Sequence, residues 1–174
     1  MPIDDPQVSR TLAADASGRD NNLDFFSHTP TDPPSVFDAD PELSVAVLQG
    51  RGGHFCAGAD LKELAAGYAY KPWAGDPDGP CHDILSKPVI AAVNGTALGG
   101  GCEIALACDL VVAAEHAVFG LPEVKLGLLP AGGGVTRLVR LLGLQAALTE
   151  HLLIGAEHRV AAAKEKGLVD EVVP

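Results

Sequence analysis

The chain has 174 residues, 47% of them hydrophobic, which suits one globular domain with a sizeable core. Its formal net charge of −11 argues against nucleic acid as a partner, because phosphate backbones demand basic patches. Met1 to Arg10 has no basic-then-apolar signal, and the uncharged run Pro88 to Cys102 falls short of the ~18–20 residues of a membrane span, so a soluble cytoplasmic protein is expected.

Residues 1–36 are rich in Asp, Pro and Ser, and Pro30, Pro33 and Pro34 forbid a helix through DFFSHTPTDPPS. That segment is expected to be partly disordered, with Phe25 and Phe26 docking on the core. Residues 37–174 form the expected folded unit. Ser44 to Gly50 (SVAVLQG) reads as a strand, followed by a small-residue loop, His54 to Ala59, and a short helix through Ala66 that Leu61 and Leu64 begin. Residues 67–80 form a loop rich in glycine, proline and aromatics, in which Tyr68, Tyr70 and Trp73 either contact a ligand or pack on the core.

The stretch from Lys87 to Gly134 organises the rest. Val89 to Val93 is a continuous apolar run with the look of a buried strand, and Asn94-Gly95 turns the chain. Asn94-Gly95-Thr96 also matches a glycosylation sequon, but a turn is the simpler reading. Gly99, Gly100 and Gly101 then precede a helix of good formers, CEIALAC, which places Glu103 in a first helical turn. Leu110 to Ala114 is a further strand, and Leu121-Pro122-Glu123 presents a second carboxylate on a stiffened approach. Gly127 to Gly134 is a loop, Val135 to Leu142 and Leu144 to Ile154 are helices, Ala161 to Lys166 is a third helix, and Leu168 to Val173 is a last strand. Alternating strands and helices with glycine loops at strand ends indicate a parallel α/β domain with ligands at the carboxyl ends of the strands.

Two carboxylates, Glu103 and Glu123, thus stand in otherwise apolar, glycine-punctuated sequence, where charge is costly unless used. Two glycine-bearing loops, each before a helix, can supply two N–H donors to one oxygen, the requirement for stabilising an enolate or a tetrahedral oxyanion. Singly, Glu103 is also explained by the helix dipole and Glu123 by a solvated loop. Together with both donor loops, a site is the better account. The four cysteines show no CxxC pair and read as reduced thiols, and neither His54-Phe55-Cys56 nor Cys81-His82-Asp83 makes a paired metal motif. A P-loop is excluded by the missing GK[ST], and a serine hydrolase by the missing GxSxG.

FCAGADLKEL, KPVIAAVNGTALGGGCEIALACDLVVA and FGLPEVKLGLLPAGGGVTRL resemble the enoyl-CoA hydratase/isomerase (crotonase) family, and the resemblance runs from about Phe37 to Pro174. It implies an α/β fold of crotonase type, a parallel-sheet core with flanking helices. It also implies an acyl-CoA substrate, with Ala59 and Gly100 as the two N–H groups that hold the thioester oxygen. By the same resemblance Ala57, Ala59, Asp60, Leu61, Lys62 and Gly100 contact the coenzyme A substrate, and Glu103 and Glu123 are the carboxylates that work on water. Lys62, Lys87, Lys125 and Arg137 are the nearby cations for an anionic ligand. No metal or organic cofactor is implied. Family members continue through C-terminal helices that help build trimers and hexamers, a region expected to be missing from this chain. Hydratase or reverse dehydratase activity in fatty acid metabolism is the first reading, isomerase activity the second, and an inactive acyl-CoA-binding fragment the third.

Overall fold

Ala46–Gly50 and Val89–Val93 alternate strictly between fully and partly buried residues, and Leu110–Ala114 does so after its first position, so each presents one face to a common core. The computed structural model describes residues 12–13, 23–26, 34–50, 52–59, 61 and 85–174. In chain order these give β1 (Leu12–Ala13), β2 (Leu23–Phe26), helix α1 (Pro34–Ala39), β3 (Ala46–Gly50), β4 (Val89–Val93) and β5 (Thr96–Leu98). Helix α2 (Gly100–Ala107), β6 (Leu110–Ala114), β7 (Val118–Gly120) and a 3-10 turn (Pro122–Leu126) follow. The chain then runs through α3 (Gly134–Leu142), α4 (Leu144–Ala146), a π-helical turn (Ala147–Leu152), β8 (Glu157–Arg159), α5 (Val160–Glu165) and β9 (Glu171–Val173).

The strands make two sheets. One has the order β1-β2-β3-β4-β6-β9, with β3, β4, β6 and β9 parallel and β1 and β2 added antiparallel at one edge. In register, Leu48 lies beside Ala91, and Ala91 beside Val111. All three are buried, so the register is fixed by the apolar face. The second sheet is β5-β7-β8, in which β5 and β7 are parallel and β8 is antiparallel to β7. Helix α2 is buried from Gly101 through Leu106, as a helix without a polar face must be, and it packs on β5 and α3. Phe37, Phe55, Phe119, Leu48, Ile104, Leu121 and Leu138 are the largest apolar side chains wholly enclosed.

Charged groups set the starts of the parallel strands. Asp109, just before β6, accepts the Val89 N–H at 2.8 Å on Oδ2, while its own N–H donates to the Val89 carbonyl at 2.9 Å. Asp170, just before β9, repeats this with Val111 at 2.7 and 2.8 Å. On the other side, Asp38 Oδ1 accepts from the N–H and hydroxyl of Ser86 and from the Lys87 N–H, tying α1 to the approach of β4.

Several boundaries differ from the sequence reading. The first strand of the parallel set begins at Ala46 rather than Ser44, and the last at Glu171 rather than Leu168, because Asp170 is spent on the clamp to Val111. The helix expected over Leu144 to Ile154 is α4 continuing as a π-helical turn, ended when Gly155 adopts a left-handed φ of +60°. Strands β5, β7 and β8 were not anticipated. Within residues 1–36, expected to be partly disordered, the described residues include β1 and β2, and β2 pairs Leu23–Phe26 with β3. The short helix after Leu61, the loop of residues 67–80 and its Tyr68, Tyr70 and Trp73 lie outside the described residues. Among the described residues no helix is long and apolar enough to cross a membrane.

Candidate functional site

Three chain segments run side by side in the same direction. Cys56 bridges Ala97 in the parallel sense, and Ala97 in turn lies beside Phe119. The Leu98 N–H donates to the Cys56 carbonyl at 3.0 Å, and the Gly99 N–H to the Gly120 carbonyl at 3.0 Å. Ala57 to Ala59, Gly99 to Gly100, and Leu121 to Glu123 therefore leave the small sheet together at its carboxyl end, where parallel strands commonly present ligand sites.

The first two of these loops touch. Gly58 has φ +90°, and a Cβ there would lie 3.2 Å from the Gly100 nitrogen. A Cβ at Gly101 would fall 2.0 Å from the Cys56 carbonyl oxygen. Only glycine permits this approach. Gly100 opens α2, so its N–H has no intrahelical acceptor. Of the other positions singled out for ligand contact, Ala57 and Ala59 are exposed and Leu61 is 52% exposed, whereas Asp60 and Lys62 lie outside the described residues.

Glu103 is one of two buried polar or charged residues besides the cysteines among those described, 3% exposed. Its Oε1 accepts the Gly134 N–H at 2.8 Å, and the Gly132 N–H also bonds the carboxyl. A Cβ at Gly132 would lie 2.6 Å from Oε2, and one at Gly134 2.9 Å from Oε1. The two glycines form a cradle with no room for a side chain. Gly133, between them, has φ +99°, and a Cβ there would fall 2.0 Å from Arg137 Nη1. Arg137 donates from Nη1 to the Gly132 carbonyl at 2.9 Å. Burial pushes the Glu103 carboxyl above its ordinary range, while the Gly134 and Gly132 N–H groups and the Arg137 charge pull the other way.

Glu123 sits in the first turn of the 3-10 segment, directly after Pro122. Gly127, in the left-handed region, closes the turn by donating to the Glu123 and Val124 carbonyls. Glu123 Oε2 is buried and has no hydrogen-bond partner among the described residues. On the other oxygen, Oε1, a Cβ at Gly99 would approach to 3.3 Å. Burial raises the Glu123 carboxyl above its usual range and the negative charge of Glu103 raises it further, against its own backbone N–H. The two acids are thus electrostatic neighbours with different surroundings: one held by amides and a guanidinium, the other holding an oxygen in reserve.

Cys102, the residue before Glu103, is wholly buried within electrostatic reach of both acids. Burial foremost, with Glu123 and Glu103 adding, pushes its thiol up to about 12, so it is a space-filling thiol rather than a nucleophile. Cys56 and Cys102 are both buried free thiols. Among the described residues no group of three His, Cys, Asp or Glu side chains is placed to hold a metal ion.

Two of the cations proposed for an anionic ligand have other duties. Lys87 donates from Nζ to the Phe37 and Asp40 carbonyls and lies 5.3 Å from the Phe37 ring centroid, so it fastens α1 to the sheet. Arg137 holds the Gly132 carbonyl. Lys125 is exposed on the 3-10 turn, and Lys62 is outside the described residues. Gly132, Gly133 and Gly134, read from sequence as ordinary turn residues, prove to be shaped by Glu103 and Arg137. The signal was present in their spacing before an arginine, but no rule of periodicity reads it.

Residues 33–174 match the family model described as enoyl-CoA hydratase/isomerase. The chain is 43% identical over 141 residues to a probable mitochondrial enoyl-CoA hydratase of Dictyostelium discoideum, covering 80% of this chain and 50% of that protein. Among solved structures it resembles a carnitinyl-CoA dehydratase from Mycobacterium avium, with TM-score 0.72 and 51% identity over 78% of this chain and 54% of that one. It also resembles an enoyl-CoA hydratase from Bacillus anthracis, with TM-score 0.71 and 42% identity over 80% and 56% of the two chains. The chain spans about half the length of the relatives it matches.

Proposed function

The chain belongs to the enoyl-CoA hydratase/isomerase family, and from that premise we propose that it adds water across the double bond of a 2-enoyl-CoA thioester, or runs the reverse dehydration. The observation that carries this reading is the pair of unequal carboxylates, Glu103 and Glu123, at the carboxyl end of the β5–β7 pair. Hydration moves protons at two atoms, and two acid/base groups in different surroundings match that demand.

In the proposed scheme the N–H groups of Ala59 and Gly100 receive the thioester oxygen. Glu103, whose charge is supported by the Gly132 and Gly134 amides, takes a proton from water as the water oxygen bonds to Cβ. The π electrons shift toward the thioester oxygen, where each N–H donor contributes roughly 2.7–4 kcal/mol to the transition state. Glu123, its carboxyl raised by burial and by its anionic neighbour, delivers a proton to Cα as the enolate collapses. Proton exchange between the two acids resets the pair. Coenzyme A enters as part of the substrate, and the scheme uses no metal or organic cofactor.

The test is the loss of conjugated thioester absorbance from a short 2-enoyl-CoA. Glu103→Gln and Glu123→Gln should each lower kcat by about 10²–10⁴ while leaving acyl-CoA affinity nearly intact. The double variant should lose little more than the worse single one, since groups acting together are not additive. A wild-type chain that shifts a 3-enoyl-CoA to the 2-enoyl form without hydrating it would be an isomerase instead. One that does neither, yet is protected by acyl-CoA against heat, would be a binding fragment.

A further inference from the structure

Arg137 is the fourth residue of α3, and its side chain turns back past the start of its own helix to the Gly132 carbonyl, 2.9 Å from Nη1. That is the wrong end for a cation, because the N-terminus of a helix carries the positive partial charge. A buried anion stands at the same end: Glu103, whose Oε1 takes the Gly134 N–H from the first residue of the same helix and whose ionisation the Arg137 charge favours. The backbone is built around this arrangement. Gly133 adopts φ +99° and leaves Nη1 the space that a Cβ would occupy, while Gly132 and Gly134 leave space for the two Glu103 oxygens. Of the three glycines Gly133 faces the guanidinium, and its two neighbours face the carboxylate.

We propose that Arg137 is a positioning residue for Glu103: it fixes the Gly132–Gly134 cradle through the Gly132 carbonyl and supplies the positive charge that keeps the buried carboxylate ionised and aimed. The groups facing Glu103 among the described residues divide by sign. From the 3-10 turn Glu123 opposes its ionisation, from α3 Arg137 favours it, and on α2 itself the Cys102 thiol stays neutral. Arg137 is the cationic member of that set. A hydrogen bond to the Gly132 carbonyl can be made by a neutral amide, but the charge cannot, and this separates positioning through charge from simple bracing.

The role of Glu103 in turnover rests on the proposed function, so the deciding measurement does not require turnover. Side-chain carboxyl carbon-13 titration, with Glu103 assigned by its loss in Glu103→Gln, should show its midpoint moving upward in Arg137→Gln and returning toward wild type in Arg137→Lys. In wild type the Arg137 guanidinium nitrogen shifts should follow the same titration, and in Glu103→Gln they should lose that step. If the chain is a hydratase, Arg137→Gln should also lower kcat at mildly acid pH on the order of tenfold with KM little changed, and raise the acid limb of the pH profile. An unmoved Glu103 midpoint in folded Arg137→Gln, or guanidinium shifts in wild type that ignore Glu103, would overturn the inference. Absence of any turnover with the titration coupling intact would remove the hydratase reading and leave the coupling standing.

Discussion

Asp109 and Asp170 stand immediately before β6 and β9, whereas Glu103 and Glu123 stand beyond the ends of β5 and β7, so the same functional group marks the starts of strands in one region and their exits in another. Each of the first pair receives a backbone N–H and sits beside a matching backbone N–H of its own, which locks the neighbouring strand in register. Both lie at the surface. In the second pair burial has lifted both carboxyls, and Glu123 keeps one oxygen without a partner. The difference teaches that an exposed carboxylate at a strand start fixes backbone, while a buried or half-buried one, its proton affinity raised by that burial, is placed to move a proton.

Filling the cradle is the most severe way to break this contrast. In Gly132→Ala the new methyl would lie 2.6 Å from Glu103 Oε2, so the carboxylate must shift while the strand clamps stay whole. Turnover should fall by about 10²-fold, as a displacement near 1 Å typically costs, with the melting transition changed much less. A fully active Gly132→Ala chain would mean that the aim of Glu103 does not matter.

The reciprocal experiment removes a clamp. Asp170→Ala deprives the Val111 N–H of its carboxylate partner, and Asp109→Ala does the same for Val89. Each should cost about 1–3 kcal/mol in denaturant unfolding. The specific activity of the folded fraction should be unchanged, and a selective loss of kcat would blur the two regions into one.

The smallest effect concerns the buried histidine. His151 is 1% exposed, its Nε2 has no partner among the described residues, and its ring centroid is 4.3 Å from that of His158. Burial first, then His158 and Lys166, lower its pKa to about 4 against the partial opposition of Glu150. The unfolded chain therefore takes up a proton below about pH 6.5, which the folded chain refuses until about pH 4. Stability should decline over that window, at most about 1.4 kcal/mol per pH unit. Glu103 and Glu123 act in the opposite sense, since their raised carboxyls protonate more readily in the fold than in the unfolded chain, and acid relieves the cost of burying them. His151→Met should flatten the decline, and unfolding curves at pH 6.5 and 5 would show it; parallel losses in both proteins would assign the acid sensitivity elsewhere.

The framework was legible because its strands carry signals that survive locally: Val89 to Val93 and Leu110 to Ala114 are unbroken apolar runs, and Glu103 follows three glycines into a helix. The second sheet was not, since β5, β7 and β8 have three residues each and alternate too briefly to register as a period. Their partners, not their composition, make them strands. The candidate acids could be named because carboxylates are conspicuous among apolar neighbours. The inequality between them could not, because it arises from Gly132, Gly134 and Arg137 arriving from a segment some thirty residues away. Lys87 misled for a related reason: a lysine at a strand start looks free until the Phe37 and Asp40 carbonyls are placed beside it.

The parallel alignment of Cys56, Ala97 and Phe119 also bears on how the molecule comes together. No two of these residues are near in sequence, so the end of the small sheet cannot form from a hairpin or a single helix and must wait for loops to close, at an entropic cost that precedes its reward. A nascent chain would acquire the buried helix α2 and its neighbouring strands before the three exits were brought into line. Competence would then be among the last properties gained during folding and among the first surrendered when the protein begins to open.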